Sequence, residues 1–446
     1  MKSFRFPNPL VLLTLCILLA SFLTYLVPAG QFDRKEDPLT GRNVVVAGTY
    51  KGVASAPVNL WEALMAIPRG LQSAGSVIFL VFLSGAAFAV VDKAGSFRWA
   101  AEVLMRKLSH NSVLVIPVIM VLFALGGMVI NMQEEIIPLV PVMLLLMRRL
   151  GYPPIIAVAV SIGAAAIGAA FSPFNPFQVI IAQKLAEVPL LSGMGFRLVI
   201  GGIALSYWIW WVMRYAQKRI ATPEYVIQEQ VVGGVWRHIL ILSLVVAMLV
   251  GYVVGITVYN WEFEQLTVLY FLLGVAVAII ARLSMDEAVK SFIWGLESMA
   301  FAGMIIGFAK AIFVVLDQGQ IIDTIVNGVF VPVAHLPVAL SAMTMMGIQS
   351  LLHFAVPSVS GQAVLTMPVL VPLSDLLGLS RNITVLAYQY GAGLAELLVP
   401  TNGALMAILA ASGVRYEEWT QFLWPALGGL VGIGLLGIGL GIVFGI

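Results

Sequence analysis

Two long, nearly uncharged stretches, broken at matching points, constrain this chain more than any other feature. Pro153 to Gln183 carries no charge and is interrupted by Ser172-Pro173-Phe174-Asn175-Pro176, while Asn382 to Gly413 carries only Glu396 and is interrupted by Pro400-Thr401-Asn402-Gly403. Neither can be one continuous helix, because each proline lacks a backbone donor and clashes with the turn before it. Broken apolar helices of this kind are tolerated at membrane depth only where the freed backbone is buried in protein or lines a water-filled cavity. Composition puts the chain in that setting: 61% of its 446 residues are hydrophobic and only 10% are charged, against about 25% charged in ordinary globular chains. So few charges cannot cover a soluble body of this size, and the sequence is read as an all-α polytopic membrane protein.

The matching of the two breaks extends into an internal repeat. At a constant spacing of 227 residues, Pro141 meets Pro368, Gly151 meets Gly378, Ile156 meets Ile383, Val158 meets Val385, Pro173 meets Pro400 and Asn175 meets Asn402. Upstream, at a spacing of 225, Asn59 meets Ser284, Glu62 meets Glu287, Gly70 meets Gly295 and Asp92 meets Asp317. The first two pairs read as capping boxes, each opening a short amphipathic helix. The chain is expected to be two copies of one unit.

Crossing the hydrocarbon takes about 20 apolar residues as helix, and such stretches lie near 9 to 28, 76 to 92, 196 to 214, 237 to 258, 264 to 282, 300 to 316 and 419 to 445. Segments 112 to 149 and 337 to 376 differ, being apolar at both ends around polar middles, Asn131-Met132-Gln133-Glu134-Glu135 and Pro357-Ser358-Val359-Ser360-Gly361-Gln362. Their second arms read as short for a full crossing, so both are expected to be re-entrant hairpins. The stretch from Phe6 to Phe32 is longer than a secretory signal core and reads as a retained first span, with Lys2 and Arg5 placing the N-terminus inside. Most remaining basic residues then fall inside, Arg149 among them. Lys184, Arg197, Arg381 and the loop 29 to 75 fall outside. The two copies come out antiparallel, an inverted repeat, with the C-terminus outside.

The chemistry is expected at the breaks and the hairpin tips. Pro173 deprives the carbonyl of Ala169 of its helical partner and Pro400 does the same to Glu396, while the half-helices after Asn175 and Asn402 present unpaired N–H groups. Free carbonyls suit a cation and helix N-termini suit a carboxylate. Glu134 and Glu135 are costly inside hydrocarbon, and at a buried tip must meet a cation, a proton or a substrate amine. The bland alternatives are proline kinks with no ligand and a solvated loop for the two glutamates. Lys310 stands mid-span, either snorkelling or pairing with Asp317 or Glu297, or contacting a substrate carboxylate. His353 reads as a packed, hydrogen-bonded histidine rather than a proton relay.

Other classes are poorly supplied. The charges nearly balance, 24 Lys and Arg against 22 Asp and Glu, which argues against a nucleic-acid partner. Cys16 is the only cysteine, so there is no disulfide framework or thiolate metal cluster, and no Gly-Lys dipeptide offers a Walker A loop. A hydrolase dyad of His353 with Ser358 or Ser360 is redundant beside the repeat. The chain is read as no enzyme and as needing no cofactor.

Asn131-Met132-Gln133-Glu134-Glu135, Asn175-Pro176-Phe177, Ser358-Val359-Ser360-Gly361-Gln362-Ala363 with Met367-Pro368, and Pro400-Thr401-Asn402-Gly403 together resemble the anaerobic four-carbon dicarboxylate carrier family. The likeness is nearer to its YfcC-like branch of proposed basic amino-acid antiporters. The resemblance implies the ion-transporter superfamily fold, a homodimer, and an elevator-like motion of a transport domain against a scaffold. On that frame, 1–110 is the first scaffold part and 111–215 the first transport part, with hairpin 112–149 and broken helix 153–190. Residues 216–236 form a cytoplasmic linker, 237–335 the inverting span and second scaffold part, and 336–446 the second transport part, with hairpin 337–376 and broken helix 382–412. Substrate is expected at Asn131, Gln133, Glu134, Glu135, Ser172, Asn175, Ser358, Ser360, Gly361, Gln362, Glu396, Thr401 and Asn402. Ala169, Pro173, Pro176, Pro400 and Gly403 are expected to form the breaks and to serve a coupling ion, Na+ or H+. Family relatives often carry an acid inside the motif that reads Gly391-Ala392-Gly393 here, which weakens the case for a cationic substrate unless Glu396 replaces it. The expected activity is secondary transport of small amino acids across the cytoplasmic (inner) membrane. A dicarboxylate carrier of the same fold is the alternative, and a channel the alternative of a different class.

Overall fold

The computed structural model describes residues 9–37, 42–46, 48–107, 114–219, 234–259, 261–330, 332–333 and 336–446. Lys2, Arg5 and most of the expected linker at 216–236 lie outside the described residues.

The chain is nearly all helical. Helix α1 (Pro9–Leu26) leads into four short strands, β1 (Gly30–Gln31), β2 (Arg34–Asp37), β3 (Arg42–Val45) and β4 (Lys51–Gly52). They form two antiparallel ribbons, with Gly30 opposite Gly52 and Arg34 opposite Val45. Then come α2 (Leu60–Ser73), α3 (Gly75–Lys93), α4 (Ser96–Lys107) and α5 (Val115–Ile130). A 3-10 turn, Glu134–Leu139, leads into α6 (Val140–Arg149), α7 (Pro154–Val158), a π turn, and α8 (Ala164–Ala170). A second π turn at Pro176–Ile180 precedes α9 (Ile181–Leu185), α10 (Met194–Gln217), α11 (Val235–Tyr259), α12 (Phe263–Ala281), α13 (Met285–Gln318) and α14 (Ile322–Phe330). The chain closes with α15 (Val338–Ala355), α16 (Val359–Leu376), α17 (Arg381–Ala395), α18 (Gly403–Ser412) and α19 (Tyr416–Phe444).

Among the described residues nine helices are long and apolar enough to cross a membrane: α1, α3, α10, α11, α12, α13, α15, α16 and α19. Their outer faces are apolar too. On α1, Leu15, Leu19 and Phe22 are each more than half exposed, which suits contact with lipid rather than water. α13, at 34 residues, is about 50 Å long and is the central strut, packing along α2 and α3 and against α1 and α18. It crosses α3 where a Cβ on Gly295 would meet Ala86 Cα and Gly85 O at 2.5 Å, so only glycine permits that approach.

Both capping boxes form as expected, Asn59 with Glu62 and Ser284 with Glu287. The helices they open differ from each other. The first ends at Ser73, and Ala74 (φ −92°, ψ 8°) turns the chain into α3. The second does not stop, so the expected short helix and the span near 300 to 316 are one continuous α13. At the 225-residue spacing Gly75 and Ser76, beside the turn in the first copy, match Ala300 and Phe301 in the second, and losing glycine there removes a helix breaker; Pro68, which matches Ile293, lies inside α2 without ending it. The second arm of the 337–376 segment also corrects the reading. It is the 18-residue α16, as long as its partner α15, even with Pro368 and Pro372 inside it. The 112–149 segment is less regular, with α5 of 16 residues followed by a 3-10 turn and a 10-residue α6.

Candidate functional site

Each break forms where the prolines require it, and each asparagine caps the half-helix after it. Beyond α8, Asn175 Oδ1 accepts from the backbone N–H of Phe177 (2.9 Å) and Gln178 (3.0 Å), and its Nδ2 donates to Gly127 O on α5 (2.8 Å). Beyond α17, Asn402 Oδ1 accepts from Leu405 N (3.1 Å), and its Nδ2 donates to Gln133 Oε1 (3.1 Å) and Glu396 O (3.2 Å). Both amides therefore tie a half-helix to the α5–α6 segment. Their oxygens point at helix N–H groups, which is the capping role.

The carbonyls expected to be free are occupied. Ala169 O accepts from Ser172 N (3.1 Å) and Gln389 Nε2 (3.4 Å), and Glu396 O accepts from Asn402 Nδ2. Side-chain amides replace the bonds that Pro173 and Pro400 remove, because an orphaned carbonyl in this interior would cost about as much as a lost hydrogen bond. Ser172 is structural as well: its Oγ donates to Met128 O (2.9 Å) and accepts from Asn175 N (2.9 Å).

The turn between α5 and the 3-10 segment is bent by Asn131 in the left-handed region (φ 55°), a conformation asparagine tolerates. Asn131 Oδ1 accepts from Gln178 Nε2 (2.8 Å), fixing the turn to the half-helix after the first break. Glu134 and Glu135 do not sit in a solvated loop. They open the 3-10 turn, Glu134 half-buried and Glu135 only 4% exposed, with Glu135 Oε2 accepting from Gln133 N (3.1 Å).

These parts enclose a cavity of about 470 Å³. It is lined by Asn131, Gln133, Glu134 and Glu135 from the first turn, by Ser358 and Ser360 from the turn into α16, and by Glu396, Thr401, Asn402 and Gly403 from the second break. Lys310 of α13 and Glu262 at the start of α12 complete its charged lining, so four carboxylates face one ammonium. Among the described residues the buried Oε2 of Glu396 and Oγ1 of Thr401 have no hydrogen-bond partner, unlike most buried polar atoms. Lys310 forms no ion pair within 4 Å among the described residues; its Nζ lies 4.7 Å from the centre of the Phe313 ring, and Asp317, close enough for a longer-range attraction, lines the adjoining cavity with it. A second cavity of about 380 Å³, lined by Arg34, Asp317, Asp323 and Gly361, shares Lys310, Pro357 and Ser358 with the first.

Other expected site residues lie elsewhere. Ala169, Ser172, Pro173, Asn175, Pro176 and Pro400 do not line the larger cavity; from the first break only Phe177 reaches it. Gln362 is fully buried between α15 and α16, paired with His353 Nδ1 (2.8 Å) and donating to Gln349 O (2.8 Å) and Gln349 Oε1. His353 is thus packed and hydrogen-bonded, as expected. Arg197, expected on the outer side of the membrane with Lys184 and Arg381, is 1% exposed and donates to Gln389 Oε1. Sequence reasoning also missed Glu262, although its position before an apolar run with Gln265 three residues on marks it as a helix cap.

A sequence model of the C4-dicarboxylate anaerobic carrier family matches residues 6–443. A protein of Escherichia coli (strain K12), YfcC, whose name proposes a basic amino acid antiporter, is 32% identical across 94% of this chain and 93% of its own. An uncharacterized protein of Haemophilus influenzae (strain ATCC 51907 / DSM 11121 / KW20 / Rd) is 27% identical across 97% of this chain and 96% of its own. The crystal structure of the YdaH transporter of Alcanivorax borkumensis aligns over 98% of this chain and 99% of that one at 15% identity and a TM-score of 0.47, too loose a likeness to bear on function.

Proposed function

The chain belongs to the C4-dicarboxylate anaerobic carrier family, and from that premise we propose that it is a secondary active transporter of small amino acids, basic ones included, in the cytoplasmic membrane. One observation carries the choice of substrate: Glu134, Glu135, Glu262 and Glu396 face the 470 Å³ cavity against Lys310 alone. Glu396, with its unpartnered oxygen, takes the place of the acid that Gly391-Ala392-Gly393 lacks and receives a substrate ammonium. Lys310 holds the α-carboxylate, helped by the N-terminus of α16 at Ser358. No enzymatic step enters this reading.

A dicarboxylate is the second reading, favoured by the family's own description and by the same Lys310 and helix N-terminus. It would require most of the four carboxylates to be protonated, since unscreened like charges in a low-dielectric cavity repel strongly. Counterflow in proteoliposomes separates the readings: preloaded lysine or alanine drives saturable uptake of the labelled amino acid and succinate does not compete. Saturable counterflow of succinate would overturn the choice, and flux without counterflow would point to a channel.

The motion we propose is elevator-like and rests on an inverted repeat in which the α5–α6 and α15–α16 segments hold matching places. The 111–215 and 336–446 units move together against the scaffold units 1–110 and 237–335 of a homodimer. The N-terminus lies inside and the C-terminus outside, and the coupling ion is Na+ or H+. Support comes from the two matched asparagine caps and the positions of the basic residues. In a Cys16→Ser background, single cysteines replacing Arg149 and Arg381 label from opposite faces of the membrane; labelling from the same face removes the inversion.

A further inference from the structure

Arg197 is buried where nothing local favours it. It lies in the first turns of α10, the positive end of that helix, which disfavours a cation. Among the described residues no carboxylate pairs with it, its Nη2 has no partner, and its one side-chain bond runs from Nη1 to Gln389 Oε1. A buried guanidinium in this state is expensive unless negative potential offsets it.

Gln389 shows where that potential comes from. Its Nε2 donates to Ser172 O (2.7 Å) and Ala169 O (3.4 Å), the carbonyls at the broken end of α8. The amide can be oriented only one way, because a guanidinium only donates and a carbonyl only accepts. The positive charge of Arg197 is thus passed through one amide onto the negative end of a helix whose next turn Pro173 has removed. The backbone is shaped for this. Gly201, one turn after Arg197, sits where a Cβ would be 3.0 Å from Phe171 O, and Gly393, one turn after Gln389, where a Cβ would be 2.7 Å from Ala170 Cα. Both helices press against the end of α8 with their polar residue one turn away.

Among the described residues the second break has no such device. At the 227-residue spacing the counterpart of Gln389 is Ile162 and that of Arg197 is Trp424, which is 63% exposed. Glu396 stands there instead, with an unpartnered oxygen.

We propose that Arg197, acting through Gln389, is a built-in cation for the first break, filling with a tethered charge the position a coupling cation would otherwise take, so that any mobile cation is required only at the second break. This rests on the reading of the chain as a transporter and not on the identity of its substrate. Arg197 is a positioning residue, and its loss leaves Gln389 free to turn its oxygen toward Na+ beside Ala169 O and Ser172 O.

The test is the melting temperature of the purified full-length protein in NaCl against equimolar choline chloride, because a cation that binds only the folded state raises it. Arg197→Met is expected to show a Na+ gain several degrees larger than wild type, while Arg197→Lys, which keeps the charge, matches wild type. Equal gains in all three proteins would overturn the proposal. If the methionine variant does not fold, Glu396→Gln decides the same point with Arg197 in place. No Na+ gain in that variant is expected, and a remaining gain would place a mobile cation at the first break and overturn the proposal. Failure here leaves the amino-acid reading untouched, since counterflow tests that separately.

Discussion

The two broken helices share a sequence pattern and do different work. At the first, Ser172, Asn175 and Gln389 use the polar groups the break releases, and the region is packed shut: Ser172, Asn175, Gln178 and Gln389 are all fully buried, and the Oε1 of Gln178, without a partner among the described residues, lies outside the lining of the larger cavity. At the second, Glu396 and Thr401 keep unpartnered atoms and line the large cavity with Asn402 and Gly403. The difference is made outside the repeated motif, by which neighbours each break meets. Matched prolines and asparagines therefore identify a shared backbone device, and the surrounding side chains decide whether it becomes a strut or a binding surface.

Substitutions at the two breaks should separate along that line. The largest effect is expected for Glu396→Gln. Removing a charged acceptor for a substrate ammonium costs about 1.5 to 3 kcal/mol, about tenfold to a hundredfold in the KM of a cationic amino acid, while the melting temperature holds or rises because a buried charge is gone. Uptake kinetics beside thermal melts check both halves. Asn175→Ala comes next, in stability rather than transport: it strips two capped N–H groups and takes from Gly127 O one of its two donors, leaving only Asn131 N, a loss of about 2 kcal/mol. Asn402→Ala removes one capped N–H and the amide that serves Glu396 O and Gln133 Oε1, so about 2 kcal/mol is expected in denaturation here too, with a fall in transport out of proportion to it. If the two asparagine variants prove equal in transport, the comparison fails. Lys310→Met sharpens it further by raising the KM for lysine severalfold while leaving uptake of agmatine, which lacks the carboxylate, nearly unchanged. The smallest effect is expected for Arg381→Ala, whose bridges to Asp375 (2.7 Å) and Glu187 (3.1 Å) lie at the surface and are worth about 1 kcal/mol or less. High salt should shrink it.

Much of the fold was legible in the residues. Pro173 and Pro400 predicted both breaks because each stands in a cluster with an asparagine that caps a new half-helix, whereas Pro368 and Pro372, without one, stay inside α16; Asn59 and Ser284 predicted helix starts because a capping box is local chemistry. The long α13 was missed where the repeat was trusted over the replacement of Gly75, beside the turn, by Ala300. The site was half legible. Glu134, Glu135 and Glu396 stood out because charge in an apolar run demands a reason, and all three line one cavity. The burial of Arg197 was not legible, because a place at the start of a span bears on which side of the membrane a residue lies and not on how deeply it packs, and only the fold shows α10 pressed against the end of α8 at Gly201. The free carbonyls were over-read for the same reason. The amides that satisfy Ala169 O and Glu396 O come from Gln389 and Asn402, and Gln389 is 220 residues from the carbonyl it serves.

The central claim, that the second break faces substrate and the first is sealed, is met most directly by substrate protection of single cysteines in a Cys16→Ser background. Thr401→Cys and Ser172→Cys are each treated in proteoliposomes with a water-soluble maleimide, with and without saturating lysine. Cysteine at 401 is predicted to label and to be shielded by lysine, and cysteine at 172 to stay unlabelled in both conditions. Labelling at 172 that lysine suppresses, with 401 indifferent to it, would contradict the account.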